Sequence, residues 1–322
     1  MTNGNSIPQH EIDEISRSII CRPELFDTAF VIGEFRKKGL HVIADPHSGE
    51  IIKLVQQALS ACNPLSVLRF GDGEINLLSY GAYFKTPQLN AYAAKKIIDQ
   101  QQDTFEADST WMIILRELMM ASLLQADIVG VLGVWRDWPS TAEERAHAPK
   151  QLVELLKRDI RGVSGYWRGP EYMLQLAYRG LLNNKTIAPA HLYFAILDHL
   201  DDLITYAQSV VIISNRQSVP EKLSQRHAGM SFEFIAVGEK PNTASPGKPD
   251  FLSKVHTKLP ESMSGCLALV GAGPWSEIYC TWIKQRGGVA IDVGSGFDLL
   301  EGLVTRPIHK WLGDEKADKY KL

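Results

Sequence analysis

The sequence has little of what would mark a specialised solvent or a stapled fold. Only four of its 322 residues are cysteine: Cys21, Cys62, Cys266 and Cys280. None stand in C-x-x-C spacing, which argues against a structural zinc site and suits a reducing, cytoplasmic setting. The most apolar run, Trp111 to Leu124, is interrupted by Arg116 and Glu117. It falls short of the ~20 apolar residues that span a bilayer. Met1 to His10 has no apolar signal-peptide core. Internal repeats, low-complexity blocks, a G-x-S-x-G elbow and a P-loop are all missing. The net charge of -3 gives no global electrostatic case for nucleic acid or an anionic membrane, although local basic patches stay open.

What is present is globular. The chain is 45% apolar and 22% charged, which excludes wholesale disorder. Its length fits two small domains or one large α/β domain. Ile51, Leu54, Val55, Ala58 and Leu59 recur at helical spacing, so Ser48 to Cys62 reads as an amphipathic helix. Ser66 to Phe70, Ile128 to Leu132, Val210 to Ile213 and Phe232 to Val237 read as strands. Thr141 and Glu144 form a capping box, and Leu152, Leu155, Leu156 and Ile160 share a helical face. Leu192 to Ile204 reads as one further helix. Towards the end, the apolar strand Cys266 to Val270 turns through Gly271-Ala272-Gly273 into a helix opened by Pro274, and Val289 to Val293 is the next strand. Apolar strands joined through helices imply an α/β, Rossmann-like fold with a largely parallel sheet and helices on both faces. Residues 1–44 are expected as an N-terminal helical extension, 45–312 as the main domain, Asn242 to Asp250 as a loop, and 313–322 as a mobile charged tail.

Three segments could carry chemistry. Arg69-Phe70-Gly71-Asp72-Gly73-Glu74 follows a strand. Its glycines allow close backbone approach to a ligand. In an extended segment Asp72 and Glu74 project to one side, and two hard carboxylates suit Mg²⁺ or Mn²⁺ bridged to phosphate. Arg69 adds a fixed positive charge. An ordinary surface turn accounts for the segment equally well. The second is Gly271-Ala272-Gly273-Pro274, where helix-terminal amides can meet an anion at the carboxyl edge of the sheet. Tight strand–helix packing explains those glycines more often than ligand binding. The third is Asp292-Val293-Gly294-Ser295-Gly296, where Asp292 could hold a ribose, a metal-bound water or a reacting hydroxyl. An Asp satisfied by turn amides accounts for it as readily. This stretch also looks like the glycine loop of methyltransferases that bind S-adenosylmethionine, although too little chain follows it. Tyr166, Trp167 and Arg168 could stack on and bind a sugar, with a core role the commoner explanation. Ser214, Asn215 and Arg216 follow a strand and could face the same cleft, with an ordinary polar loop the commoner explanation.

Arg69 to Glu74 resembles the signature of the GT-D fold glycosyltransferases, formerly a domain of unknown function. Val163 to Pro170, the strand through Ser209 to Ser214, Pro241-Asn242-Thr243-Ala244, Leu269 to Pro274 and Gly288 to Gly294 are similar, in order, to later segments of that family. The resemblance runs from about Leu65 to Gly302. It implies transfer of a sugar from a nucleotide-diphosphate donor, a UDP-sugar above others, to a glycan, lipid-linked or glycoprotein acceptor in bacterial surface assembly. It implies Mn²⁺ or Mg²⁺ held by Asp72 and Glu74. Arg69, Gly71, Gly73, Arg168, Ser214, Asn215, Gly271 and Gly273 are then the candidates for donor binding. If transfer inverts configuration, Glu74 and Asp292 are both candidate bases. A carboxylate tied to a metal is a poor base, which tilts the choice to Asp292. The family often carries His where this chain has Ser295. No nucleic-acid partner or membrane span is expected, and peripheral attachment at the inner membrane face is open. The rival readings are an S-adenosylmethionine-dependent methyltransferase using Asp292 to Gly296, and a non-catalytic nucleotide-sugar-binding protein.

Overall fold

A computed structural model describes residues 8–80, 88–89, 91–92, 110–135, 160–237, 250–312 and 317–322. The expected capping box at Thr141, the helical face at Leu152 to Leu156, most of the loop at Asn242 to Asp250, and Pro241 to Ala244 lie outside those residues. Among the described residues, eight strands form one sheet in the order β1-β4-β3-β2-β8-β7-β5-β6. They are β1 (His41–Val42), β2 (Leu65–Phe70), β3 (Ile128–Val131), β4 (Thr186–Pro189), β5 (Ser209–Ser214), β6 (Phe232–Ala236), β7 (Cys266–Gly271) and β8 (Val289–Asp292). Every described pairing is parallel. Parallel pairing needs crossovers, and the crossovers cover both faces, so strands such as β3 and β8 are buried along their whole length. The α/β expectation is met.

The chain divides into two compact units. One comprises Met1–Asp45, Arg69–Leu124 and Ile128–His191; the other Pro46–Leu68, Gln125–Asp127 and Leu192–Leu322. The first contains β1, β3 and β4 with helices α1 (Gln9–Cys21), α2 (Thr28–Lys37), α4 (Asp72–Leu78), α5 (Thr110–Gln125, its last residue apart) and α6 (Ile160–Tyr178). Its core is built on Ile15, Phe35, Met119 and Met173, all fully buried. Asp27 caps α2 by accepting the Ala29 N–H at 2.9 Å.

The second unit pairs Leu65, Ser66 and Val67 of β2 with Val289, Ala290 and Ile291 of β8, and continues through β7, β5 and β6. Around them lie α3 (Gly49–Ser60), α7 (Tyr193–Asp198), α8 (Leu200–Tyr206), α9 (Ser218–Arg226), α10 (Asp250–Lys258), α11 (Ser276–Gln285), α12 (Gly296–Leu300) and α13 (Pro307–Leu312). The helix expected from Ser48 is α3, capped by Ser48 Oγ on the Glu50 N–H at 3.2 Å.

Four expectations need correction. Leu192 to Ile204 is two helices, because His199 (φ -123°, ψ 23°) leaves helical geometry between α7 and α8. Pro274 opens a 3-10 turn, Gly273–Trp275, and the helix proper starts at Ser276. Asp72 and Glu74 do not lie in an extended segment but in the first turn of α4. Residues 317–322 are not a loose tail. Tyr320 stacks on Phe194 with ring centres 6.2 Å apart, Lys319 Nζ meets Asp198 Oδ1 at 2.6 Å, and the Leu322 N–H reaches the Leu300 carbonyl at 3.1 Å. An aromatic anchor and an ion pair outweigh the solvation of the charged side chains. No helix among the described residues is long and apolar enough to cross a membrane.

Candidate functional site

In the first unit, β2 hands the chain directly to α4. Phe70 is fully buried, Gly71 is extended, and Asp72 is the first helical residue. Glu74, at the third helical position, turns back so that its Oε2 accepts the Gly71 N–H at 2.9 Å. That is half of a capping box, and it satisfies one of the amides a helix start leaves open. Two residues apart on a helix are ~200° apart around its axis, so the two carboxylates do not share a side through regular geometry. Asn76 Nδ2 holds the Asp72 carbonyl at 2.8 Å, which fixes the turn from behind. Arg69 Nη1 donates to the Ala190 carbonyl at 3.1 Å, tying this junction to the end of β4.

Helix α6 lies against this junction. Its Gly165 and Gly169 are four apart and so share one face. A β-carbon on Gly165 would stand 2.6 Å from the Asp72 α-carbon and 2.8 Å from its carbonyl oxygen. One on Gly169 would stand 3.2 Å from Leu132 Cβ. Only glycine lets the helix approach the Asp72 backbone this closely. Two segments read separately from the sequence, Arg69 to Glu74 and Val163 to Pro170, are therefore one packed feature.

The aromatic and basic residues of α6 turn inward. Tyr166 stacks on Phe26 with centroids 6.1 Å apart, and burial pushes its hydroxyl up to about 12. Trp167 is buried. Arg168 has no exposed surface. Burial lowers its guanidinium to about 9, against the pull of the Glu11 charge, which works to raise it. Glu11 is itself buried and accepts the Gln88 N–H at 3.0 Å and the Leu89 N–H at 2.5 Å. Contact between Arg168 and a donor therefore requires its cover to move. Gly165 lies in the Val163 to Pro170 segment read from the sequence, but its packing role does not show there, and Glu11 is not singled out. A glycine four before Gly169 was the available signal for the first; Glu11 carries none.

In the second unit, the ends of β7 and β8 lock together. The Val293 and Gly294 N–H groups both reach the Val270 carbonyl, at 2.8 and 3.1 Å. A β-carbon on Gly271 would lie 2.4 Å from Phe297 Cδ2. This glycine makes room for a ring of α12, which is the packing role weighed above. The Ala272 N–H donates to Ser276 Oγ at 2.9 Å, so one amide of the expected anion site is already used. Asp292 closes β8 and is 3% exposed. Ser214 is buried, and its Oγ accepts the Arg216 N–H at 3.1 Å. Asn215 is half-buried. Arg216 is bound to α12 and its C-cap: Nε and Nη2 meet Asp298 Oδ1 at 2.9 and 2.6 Å, and Nη1 meets Glu301 Oε2 at 3.3 Å. Ser295 Oγ lies 3.3 Å from Nε2 of His309, a fully buried ring. Glu277, wholly buried in the first turn of α11, was also unread.

Arg69, Gly71, Asp72, Gly73, Glu74 and Arg168 thus belong to the first unit, and Ser214, Asn215, Gly271, Gly273 and Asp292 to the second. Among the described residues no three His, Cys, Asp or Glu side chains form a group that could hold a metal ion. A cation at Asp72 and Glu74 would need further oxygens from its substrate or water, as Mg²⁺ in phosphate sites commonly does. The Asp72 carboxylate fits that chemistry, whereas Glu74, turned back onto the Gly71 N–H, would add to it only through its other oxygen.

No protein-family model and no curated protein matches the chain. Two solved structures are similar in fold. One, described as the highly conserved domain of unknown function 1792 with a distinct glycosyltransferase fold, is 13% identical, with a TM-score of 0.42 over 82% of this chain and 81% of its own. A selenomethionine-substituted structure of domain of unknown function 1792 is 13% identical, with a TM-score of 0.41 over 81% and 80%. At that identity and superposition, no residue role transfers from them.

Proposed function

We propose that the chain is a metal-dependent glycosyltransferase that moves a sugar from a nucleotide-diphosphate donor to a hydroxyl acceptor. The observation that carries this reading is the seating of Gly165 on Asp72. It makes a single built feature of the two segments whose sequences most resemble a sugar-transferring family. A surface turn would have no need of a glycine pressed against its backbone.

Asp72, with Glu74, would hold Mn²⁺ or Mg²⁺ and through it the donor diphosphate. The cation supplies charge neutralisation for the departing diphosphate. Glu74 keeps the α4 start in place through its bond to the Gly71 N–H. Arg69 adds positive charge at the same junction while anchored on Ala190. A UDP-sugar donor and a glycan, lipid-linked or glycoprotein acceptor in bacterial surface assembly complete the proposal.

Thermal unfolding against nucleotide diphosphates and S-adenosylmethionine, each with and without Mn²⁺, tests it. A ligand that binds only the folded state raises the midpoint. A Mn²⁺-dependent rise with UDP, lost in Asp72→Asn, is expected. A rise with S-adenosylmethionine alone would replace this reading by the methyltransferase. Donor binding with neither transfer nor slow donor hydrolysis would leave a nucleotide-sugar-binding protein.

A further inference from the structure

We infer that His191 is a further donor-contacting residue of the site built on Asp72, and that its imidazole binds the diphosphate. That role rests on Asp72 holding the cation and diphosphate as proposed above. In an open parallel sheet, ligands meet the carboxyl ends of the strands. In the first unit those ends are Phe70 of β2, Val131 of β3 and Pro189 of β4, side by side in the order β4-β3-β2. Two bonds close them into one frame. The Ala190 N–H reaches the Val131 carbonyl at 3.0 Å, and the Ala190 carbonyl accepts from Arg69 Nη1 at 3.1 Å. Arg69 leaves β2 and so crosses the end of β3 to reach β4. His191 is the next residue after its acceptor.

One helix sets both sides of this frame. On α6, Gly165 takes the Asp72 backbone, and Gly169, a turn later, takes Leu132, whose Cβ would stand 3.2 Å from an added β-carbon. Pro170 lies against Gly133, where φ is +78° and an added β-carbon would stand 2.8 Å from Pro170 Cγ. The start of α4 and the loop that leaves β3 are therefore fixed by the same rigid element. That loop carries Trp135, which is 5% exposed, and its ring centre lies 5.4 Å from that of His191 at a tilt of 49°. His191 itself is only half-buried. Asp72 and His191 are thus held in one frame by packing, as a preorganised binding site requires. Two strand spacings, roughly 10 Å, separate the ends of β2 and β4, an interval that suits a cation-bound diphosphate lying along the edge. The acids at the junction are Asp72 and Glu74, and Glu74 is turned onto the Gly71 N–H. With a cation on Asp72, the Arg69 guanidinium and an imidazole N–H supply the donors that phosphate oxygens take.

The test is calorimetric titration of the whole chain with inorganic pyrophosphate and Mn²⁺, a probe that carries neither base nor sugar. Wild-type binding is expected, and Asp72→Asn should abolish it. His191→Phe keeps a ring against Trp135 and removes both ring nitrogens. It should weaken binding about tenfold or more, the scale of a hydrogen bond to a charged group. His191→Gln keeps an N–H donor and should recover part of that loss. A packing role alone gives the reverse order, with Phe tolerated and Gln harmful, and would overturn the inference. Unfolding midpoints establish that each variant is folded. Binding that needs Asp72 but is unchanged in His191→Phe would overturn the role of His191 and leave the proposed function standing. Wild-type binding of UDP but not of pyrophosphate would do the same. No binding of pyrophosphate or of any nucleoside diphosphate by the wild type would overturn both.

Discussion

The two units fix their glycine-rich turns by different means. In the first, a helix backbone closes on another helix backbone, with Gly165 against Asp72. In the second, Gly271 makes room for the Phe297 ring, and Arg216 ties the loop after β5 to Asp298 and Glu301. The nearest neighbour of Gly271 is a side chain, although the Gly294 carbonyl oxygen would also stand 3.0 Å from an added β-carbon, and an ion pair can be replaced by water. At Gly165 the nearest neighbours are the Asp72 α-carbon and carbonyl, which cannot shift without the helix start. The first turn should therefore tolerate almost no change in bulk, whereas the second should yield by degrees.

Substitution by alanine at the two glycines sharpens that contrast most. Gly165→Ala is expected to lose about 3 kcal/mol of stability, at the upper end for an overpacked core. Gly271→Ala should lose about 2 kcal/mol or less, and Phe297→Leu should recover part of it. No single side-chain truncation should rescue Gly165→Ala. Urea denaturation of the set measures all of this, and equal losses that Phe297→Leu fails to relieve would erase the distinction. Next in size is a purely chemical change at the same place. Asp72→Asn should lower transfer by at least a hundredfold, the scale of losing one charged group in the transition state, with the unfolding midpoint almost unmoved.

Smaller effects are expected in the second unit. Asp298→Asn removes the nearer carboxylate from Arg216, whose side chain is 11% exposed. The cost should be about 2 kcal/mol, softened by the remaining Glu301. The smallest effect is a pH dependence. Burial works to raise the Asp198 carboxyl, but hydrogen bonds from His47 and Lys319 outweigh it and hold the group at about 2 rather than 3.8. A depressed carboxyl stabilises the fold above its unfolded value. Because Asp198 is partly exposed, about 1 kcal/mol should be present above pH 3.8 and lost as pH falls through about 2. Asp198→Asn should flatten the unfolding midpoint over that range. An unchanged profile would assign acid sensitivity to other groups.

The second unit was the more legible of the two in sequence. Runs such as Cys266 to Val270 and Val289 to Val293 are long, apolar and closed by glycine, so period and punctuation agree. The first unit hid its elements. β1 has two residues, and β4 contains Pro189, which sequence rules read as demoting a strand. Helix α6 runs 19 residues through Gly162, Gly165, Gly169 and Pro170, all of which weaken helix propensity. Tertiary packing overrides that propensity, and the glycines are the reason it can. Asp72 was legible as a candidate, but its helical setting was not, because Gly71 and Gly73 suggest a loop. The tail was misread because charge outnumbers the one aromatic that anchors it.

The pairing of β2 with β8 also shapes how the chain is made. Leu65 and its partner Val289 are 289 − 65 = 224 residues apart in sequence. At about 5–20 residues per second, the ribosome needs roughly ten to forty-five seconds to deliver the second after the first. Throughout that interval the β8-facing edge of β2 has no native strand to bond. Folding of the second unit is thus set by the clock of translation, and the waiting edge is the place where a chaperone would be needed most.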